Sequence, residues 1–182
     1  GYHIRESGAS ATQEIAFTLA NARAYLDECV RRGVDVDQVA PTLFTFLAIT
    51  TDVLPEVAKF RAARRVWARL LKETYGAQDP RSQQLRIFAF TAGSTLTAQQ
   101  PMNNLARTSV EATVAALAGV QTLHVSAYDE ALGVPTAAAA TLALRTQQVV
   151  AFETGLTQTL DPFAGSYAVE QLTDELESSI WS

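Results

Sequence analysis

Apolar positions along the chain alternate between two rhythms. From Ser10 to Arg32, Ile15, Leu19, Ala22, Leu26 and Val30 share one face at helical spacing and Gly33 supplies the stop, which predicts a helix. Leu43 to Thr50 (LFTFLAIT) is rich in aromatic and β-branched residues and lies between Pro41 and Asp52, which predicts a short buried strand. Glu56 to Tyr75 is helical again, with Phe60, Ala63, Val66, Trp67 and Leu70 turned inward, and it ends at Gly76. The cycle then repeats. Leu85 to Phe90 predicts a strand, TAGSTLTAQQP a polar loop and Asn103 to Leu117 a helix; Gln121 to Val125 predicts a strand, SAYDEALGVP a loop and Thr136 to Thr154 an Ala-rich helix. LTQTLDPF reads as a further weak strand or extended piece, and Gly165 precedes a last helix from Val169.

Strands separated by helices at this spacing are the pattern of βα units and a parallel sheet. If GYHI at the start is the tail of a strand, four to five units are present. Half of an eight-stranded barrel fits this count, and so does a small open doubly wound sheet. The polar, chemically capable residues follow the strands: HIRE, TTD, TAGSTLTAQQ, SAYDE and DPFAGSY. In parallel α/β folds the carboxyl ends of strands face a common site, so these segments are expected to converge.

Composition narrows the class. The 182 residues are 48% hydrophobic and 18% charged with a net charge of -5, which describes a globular chain with no basic footprint for nucleic acid. No apolar run reaches the length of a membrane span. Cys29 is alone, so no intrachain disulfide is possible; it is expected to be a small buried hydrophobe in a reducing, cytoplasmic setting. Both ends lie within running patterns, and the chain is expected to be a piece of a longer one.

Single residues leave alternatives open. His3, beside Tyr2, suits a general acid or a donor to a carbonyl, although a half-buried structural histidine is the commoner use. His124 is the other histidine, and no spacing supports a metal site. Asp129 and Glu130 suit either a sugar hydroxyl or the cap of the following helix. The run KFRAARRVWAR is either an anion patch or, more commonly, a solvated helix face. GxGxxG, GxxxxGK[ST], GxSxG and HExxH are all absent, which removes the common nucleotide-fold, hydrolase and zinc-protease readings.

Longer words decide more. GYHIRESG, EVAKFRAARRVWARL, TAGSTLTAQQP with NN close behind, QTLHVSAYDEALGVPT, LRTQQ and DPFAGSYAVE occur in the order and spacing of the coenzyme B12-dependent acyl-CoA mutases, which the chain resembles over essentially its whole length. The resemblance implies a TIM (β/α)8 barrel, here its C-terminal half from the end of strand 4 through strand 8 and the following helix. It also implies adenosylcobalamin-dependent radical rearrangement of the carbon skeleton of an acyl-CoA. Tyr2 and His3 match the family's Tyr-His pair, the imidazole donating to the thioester carbonyl and the phenol lying against substrate and adenosyl group. Glu130 matches the carboxylate that holds the adenosine ribose, and Gln121 a residue on the acyl-CoA side.

Other positions depart from the family pattern. Phe88 and Phe90 stand where His and Gln are usual, Ser126 replaces an Asn facing the adenosyl group, and Thr42 and Phe44 replace an Arg and a Ser associated with the CoA chain. The cobalamin-binding domain, with its DxHxxG loop, has no match in this chain, so the implied partners are an acyl-CoA, a cobalamin-binding domain or subunit, and a second barrel subunit in a dimer or heterodimer. Two readings follow: an active mutase whose lumen suits a more apolar or branched acyl group, or a non-catalytic barrel subunit paired with an active one.

Overall fold

The computed structural model describes residues 1–182. Three parallel strands form one sheet in the order β1 (Thr45–Ile49), β2 (Ile87–Thr91) and β3 (Thr122–His124). Phe46 pairs with Phe88 and Ala48 with Phe90; Phe88 pairs in turn with Thr122 and Phe90 with His124. The longer helices are α2 (Ala11–Arg31), α4 (Val53–Arg69), α5 (Asn104–Ala118), α6 (Ala137–Glu153) and α7 (Tyr167–Trp181), with short turns α1 (Tyr2–Glu6) and α3 (Val36–Val39).

Local chemistry explains the boundaries. Ser10 and Gln13 form a reciprocal capping box at the start of α2, and Thr136 accepts from Ala139 N at the start of α6. Gly119 ends α5 at φ 64°, a left-handed backbone that a side chain would strain. Five residues after Arg69, Leu70–Thr74, widen into a π turn, so the predicted single helix to Tyr75 changes its pitch before Gly76.

Two expected strands are not strands. GYHI coils into α1, which places Arg5 and Glu6 where each reaches a different partner: Arg5 Nη2 lies 3.5 Å from Glu56 Oε1, and Glu6 accepts from Ser94 N and Oγ at 3.0 and 2.9 Å. LTQTLDPF holds a 3₁₀ turn at Leu156–Gln158, entered through Gly155 at φ 74° and followed by Asp161 at φ 43°, and it pairs with no strand. The observed sheet therefore has three strands where four to five were counted.

Alternate residues of the strands point into one core. Leu47, Ile49, Ile87 and Ala89 meet Ile15, Leu19 and Leu26 of α2, Val57, Phe60, Ala63 and Trp67 of α4, and Val169 and Ile180 of α7. The helical face predicted for α2 holds except at its end, where Val30 is exposed; Cys29 is only half-buried.

The basic run of α4 is not a solvated face. Lys59 is fully buried, Arg61 pairs with Asp161 at 3.0 Å and Glu170 at 2.6 Å, and Arg65 reaches Glu170 and Asp174 at 3.2 and 2.6 Å. Arg64 donates to Gly119 O and so caps α5. The arginines thus fasten α7 and its approach to α4.

Lys59 Nζ lies 2.8 Å from Glu14 Oε2 and 2.6 Å from Glu56 Oε2, and donates to Ala48 O at 2.7 Å. Glu14 Oε1 accepts from Ala48 N at 2.8 Å. Replacing Lys59 by Met would leave the buried Glu14 carboxylate without a counter-charge and Glu56 with Arg5 alone, and urea unfolding is expected to register a loss of about 3–5 kcal/mol. Arg65→Ala, at a half-exposed seam, is expected to lose less than about 1 kcal/mol in the same assay; equal losses would contradict this division.

Candidate active site

The sheet face turned away from the helical core carries rings. Phe46 and Phe88 stack with centroids 4.9 Å apart and planes at 14°, and Tyr2 stacks on the other side of Phe46 at 4.8 Å and 11°. Phe90 lies 5.0 Å from Tyr2 and 4.0 Å from His124. His3 meets Tyr2 and Phe46 edge-on at 5.7 and 6.3 Å. These positions follow from the strand period of two and the parallel register, which put Phe46, Phe88, Phe90 and His124 on one surface. The His3 imidazole is exposed and has no hydrogen-bond partner in the chain, so both ring nitrogens are open to a ligand.

Two clamps hold α1 over this surface. Glu6 grips Ser94 in the turn after β2, while Arg5 reaches Glu56 and donates to Ala9 O at 2.6 Å. Burial, reinforced by the Glu6 carboxylate, raises the Tyr2 phenol above its ordinary value. Behind the turn, Glu111 of α5 is fully buried with its Oε1 2.7 Å from Thr95 Oγ1; burial pushes its carboxyl up to about 8.

The sequence-derived candidates divide between the two ends of the sheet. The Tyr2 hydroxyl and Glu130 lie toward the carboxyl ends, Tyr2 being close enough to Glu130 to feel its charge, while His3 sits edge-on to Phe46. Glu130 Oε1 accepts from Ala127 N at 2.8 Å, and its other oxygen has no protein partner. Beside it a cleft of about 250 Å³ is lined by His124, Ala140, Ala143, Leu144 and Gln147. Thr42, Phe44 and Gln121 lie at the opposite rim, where the strands begin. Thr42 Oγ1 donates to Val39 O, Phe44 is 71% exposed, and Gln121 Oε1 accepts from Ile87 N at 2.7 Å. Five strand residues separate the rims by about 16 Å.

Phe88 and Phe90 belong to the ring surface between the rims. Ser126 does not face either opening: it is fully buried, its N bonded to Thr91 Oγ1 at 2.8 Å and its Oγ to Thr91 O. Asp129 takes the capping role, accepting from Thr136 N and Oγ1 at the start of α6.

Comparison with known proteins then identifies the family. The family model described as methylmalonyl-CoA mutase matches residues 1–182. The chain belongs to the methylmalonyl-CoA mutase family. Over 181 residues this family member is 49% identical to the 2-hydroxyisobutanoyl-CoA mutase large subunit of Aquincola tertiaricarbonis, covering 100% of the chain and 32% of that protein. It is 45% identical over 176 residues to the methylmalonyl-CoA mutase of Escherichia coli K12, covering 97% of the chain and 24% of that protein. It is also 45% identical over 182 residues to the methylmalonyl-CoA mutase large subunit of Porphyromonas gingivalis, covering 100% and 25%. The chain thus spans about a quarter to a third of the length of these relatives.

Sequence reasoning missed Phe46, Glu6 and Glu111 as parts of this cluster. Phe46 was within reach, because it shares the period-two pattern of Phe88 and Phe90. Glu6 and Glu111 carried no local signal, since their partners lie 88 and 16 residues away. Phe46→Ala removes the ring shared by Tyr2, His3, Phe88 and Phe90. Unfolding free energy is expected to fall by about 3 kcal/mol, with loss of near-ultraviolet circular dichroism; a change within about 0.5 kcal/mol would show that the rings do not pack cooperatively.

Proposed function

We propose that this chain is part of a mutase that rearranges the carbon skeleton of an acyl-CoA, using adenosylcobalamin, and that it forms the C-terminal half of a (β/α)8 barrel around the substrate. The observation that carries the reading is the Tyr2-His3 turn, clamped by Arg5 and Glu6 over a ring-lined surface of parallel strands. One sheet face is covered by helices and the other presents aromatic side chains, as the wall of a lumen does.

Each end of the sheet then has a task. Thr42, Phe44 and Gln121 line the rim where an extended CoA chain enters, and the thioester reaches His3 along the ring surface. His3 donates a hydrogen bond to the thioester carbonyl, where charge and spin gather during migration, and a ring-lined, water-poor surface strengthens such a bond. Tyr2, held flat on Phe46, limits the space beside the migrating group. The lumen-facing strand positions Phe46, Ala48, Phe88, Phe90, Thr122 and His124 include no Lys or Arg, which favours an uncharged, apolar or branched acyl group.

The residues present fit the cofactor at its nucleoside end. Glu130 offers one unengaged carboxylate oxygen at the mouth of an apolar cleft, a donor set suited to a ribose diol beside a flat base. When bound, the cofactor supplies the radical that starts the rearrangement. Ser126, with both polar groups taken by Thr91, is outside this set. A second reading, a non-catalytic barrel subunit that pairs with an active one, rests on Phe88 and Phe90, whose rings occupy space on the lumen face.

His3→Ala in the complete mutase assembly tests the assignment. Turnover is expected to drop by about 10²- to 10³-fold while acyl-CoA binding persists. Unchanged turnover would remove His3 from the reaction, and absence of any turnover by the unmodified assembly would favour the second reading.

A further inference from the structure

We infer that Glu111 is a positioning residue that works in its protonated form, donating its carboxyl proton to Thr95 Oγ1 and so fixing the Gly93–Thr95 turn that braces Tyr2 and Glu6. The argument is a count of protons. Thr95 Oγ1 lies 2.7 Å from Glu111 Oε1 and also 2.7 Å from Ala92 O. A hydroxyl has one hydrogen, and Ala92 O can only accept. If Glu111 were ionised, one of these two short contacts would set lone pair against lone pair. A protonated Glu111 gives each contact its hydrogen: Glu111 to Thr95, and Thr95 to Ala92 O.

The surroundings agree with this assignment. Glu111 Oε2 is buried with no hydrogen-bond partner, a position far less costly for a neutral carboxyl oxygen than for a charged one. Glu6 of α1 and Glu56 of α4 both face the group and oppose its ionisation. Arg107 on the same helix is the opposing cation, but its Nη1 is committed to Asn104 Oδ1 at 2.8 Å. The braced turn then touches the site directly: Glu6 grips Ser94 N and Oγ, and a methyl added at Gly93 would lie 3.7 Å from the Tyr2 hydroxyl and 3.3 Å from Glu6 Oε2.

The catalytic consequence rests on the mutase reading; the protonation does not. Glu111→Gln keeps a donor toward Thr95 and cannot titrate, while Thr95→Val removes the relay. In the full protein, infrared spectroscopy is expected to show a protonated-carboxyl C=O band at pH 7 that fades near pH 8 and is missing from Glu111→Gln. Because the folded value lies above the unfolded 4.5, the folded chain holds a proton that the unfolded chain has lost between those values. Stability relative to Glu111→Gln therefore declines as pH rises across that window.

Thr95→Val is expected to shift the nuclear magnetic resonance signals of the Tyr2 ring and to lower kcat on the order of tenfold with KM unchanged. A missing band at pH 7, or equal pH slopes for the unmodified protein and Glu111→Gln, would overturn the protonation. An unmoved Tyr2 signal in Thr95→Val would overturn the positioning role. If the unmodified protein turns over no acyl-CoA, the mutase reading fails, and the infrared, unfolding and ring signals still decide the inference.

Discussion

The edge strand β1 sets the constraint around which the molecule is arranged. Thr45 and Ile49 spend their backbone groups on β2, so Ala48 turns its N–H and C=O the other way, into a region with no strand beside it. Buried backbone groups must find partners. Glu14 accepts from that N–H, and Lys59 donates to that C=O. A carboxylate from α2 and an ammonium from α4 thus satisfy the backbone of β1 on the side turned away from β2, and their mutual attraction holds both helices on the sheet. Glu56 and Arg5 bring the buried group to two positive and two negative charges, which lets it remain in a water-free place.

The same group links the scaffold to the site. Glu56, which completes the charge around Lys59, is also the residue that Arg5 reaches, and Arg5 belongs to the turn bearing Tyr2 and His3. The Tyr-His turn is therefore anchored through the charged core on one side and through Glu6 and Ser94 on the other. A turn of five residues has little stability of its own, since nucleating a helix fixes several dihedrals for one hydrogen bond. Its order comes from these anchors and from the ring stack beneath it.

The sequence made some of this legible and hid the rest for physical reasons. The long helices could be read because α2, α4, α5 and α7 bury stripes whose 3.6-residue period survives in the order of residues. The parallel strands could be read because each is a short apolar run between turn residues. GYHI failed because its conformation depends on distant partners, Glu56 and Ser94, and LTQTLDPF because it is turned at Gly155 and Asp161, both in the left-handed region. The basic run of α4 was misread for the same reason, since the carboxylates of Asp161, Glu170 and Asp174 that meet it lie about a hundred residues onward. Tyr2, His3 and Glu130 were recognisable only as parts of long words shared with a family. Position along the strands, by contrast, accounts for Phe88 and Phe90 sharing a surface once their strand is given.

The chain's two tryptophans occupy different layers of this arrangement. Trp67 is sealed in the core with its indole N–H donated to Ser82 O, whereas Trp181 lies at the end of α7 with the Arg69 guanidinium 4.0 Å from its ring. One indole is therefore shielded from quenchers by the whole fold, and the other only by a cation at the end of a helix that Val169 and Ile180 seat in the core. Their emission thus reports on two environments, the sealed interior and the solvent-facing end of the last helix.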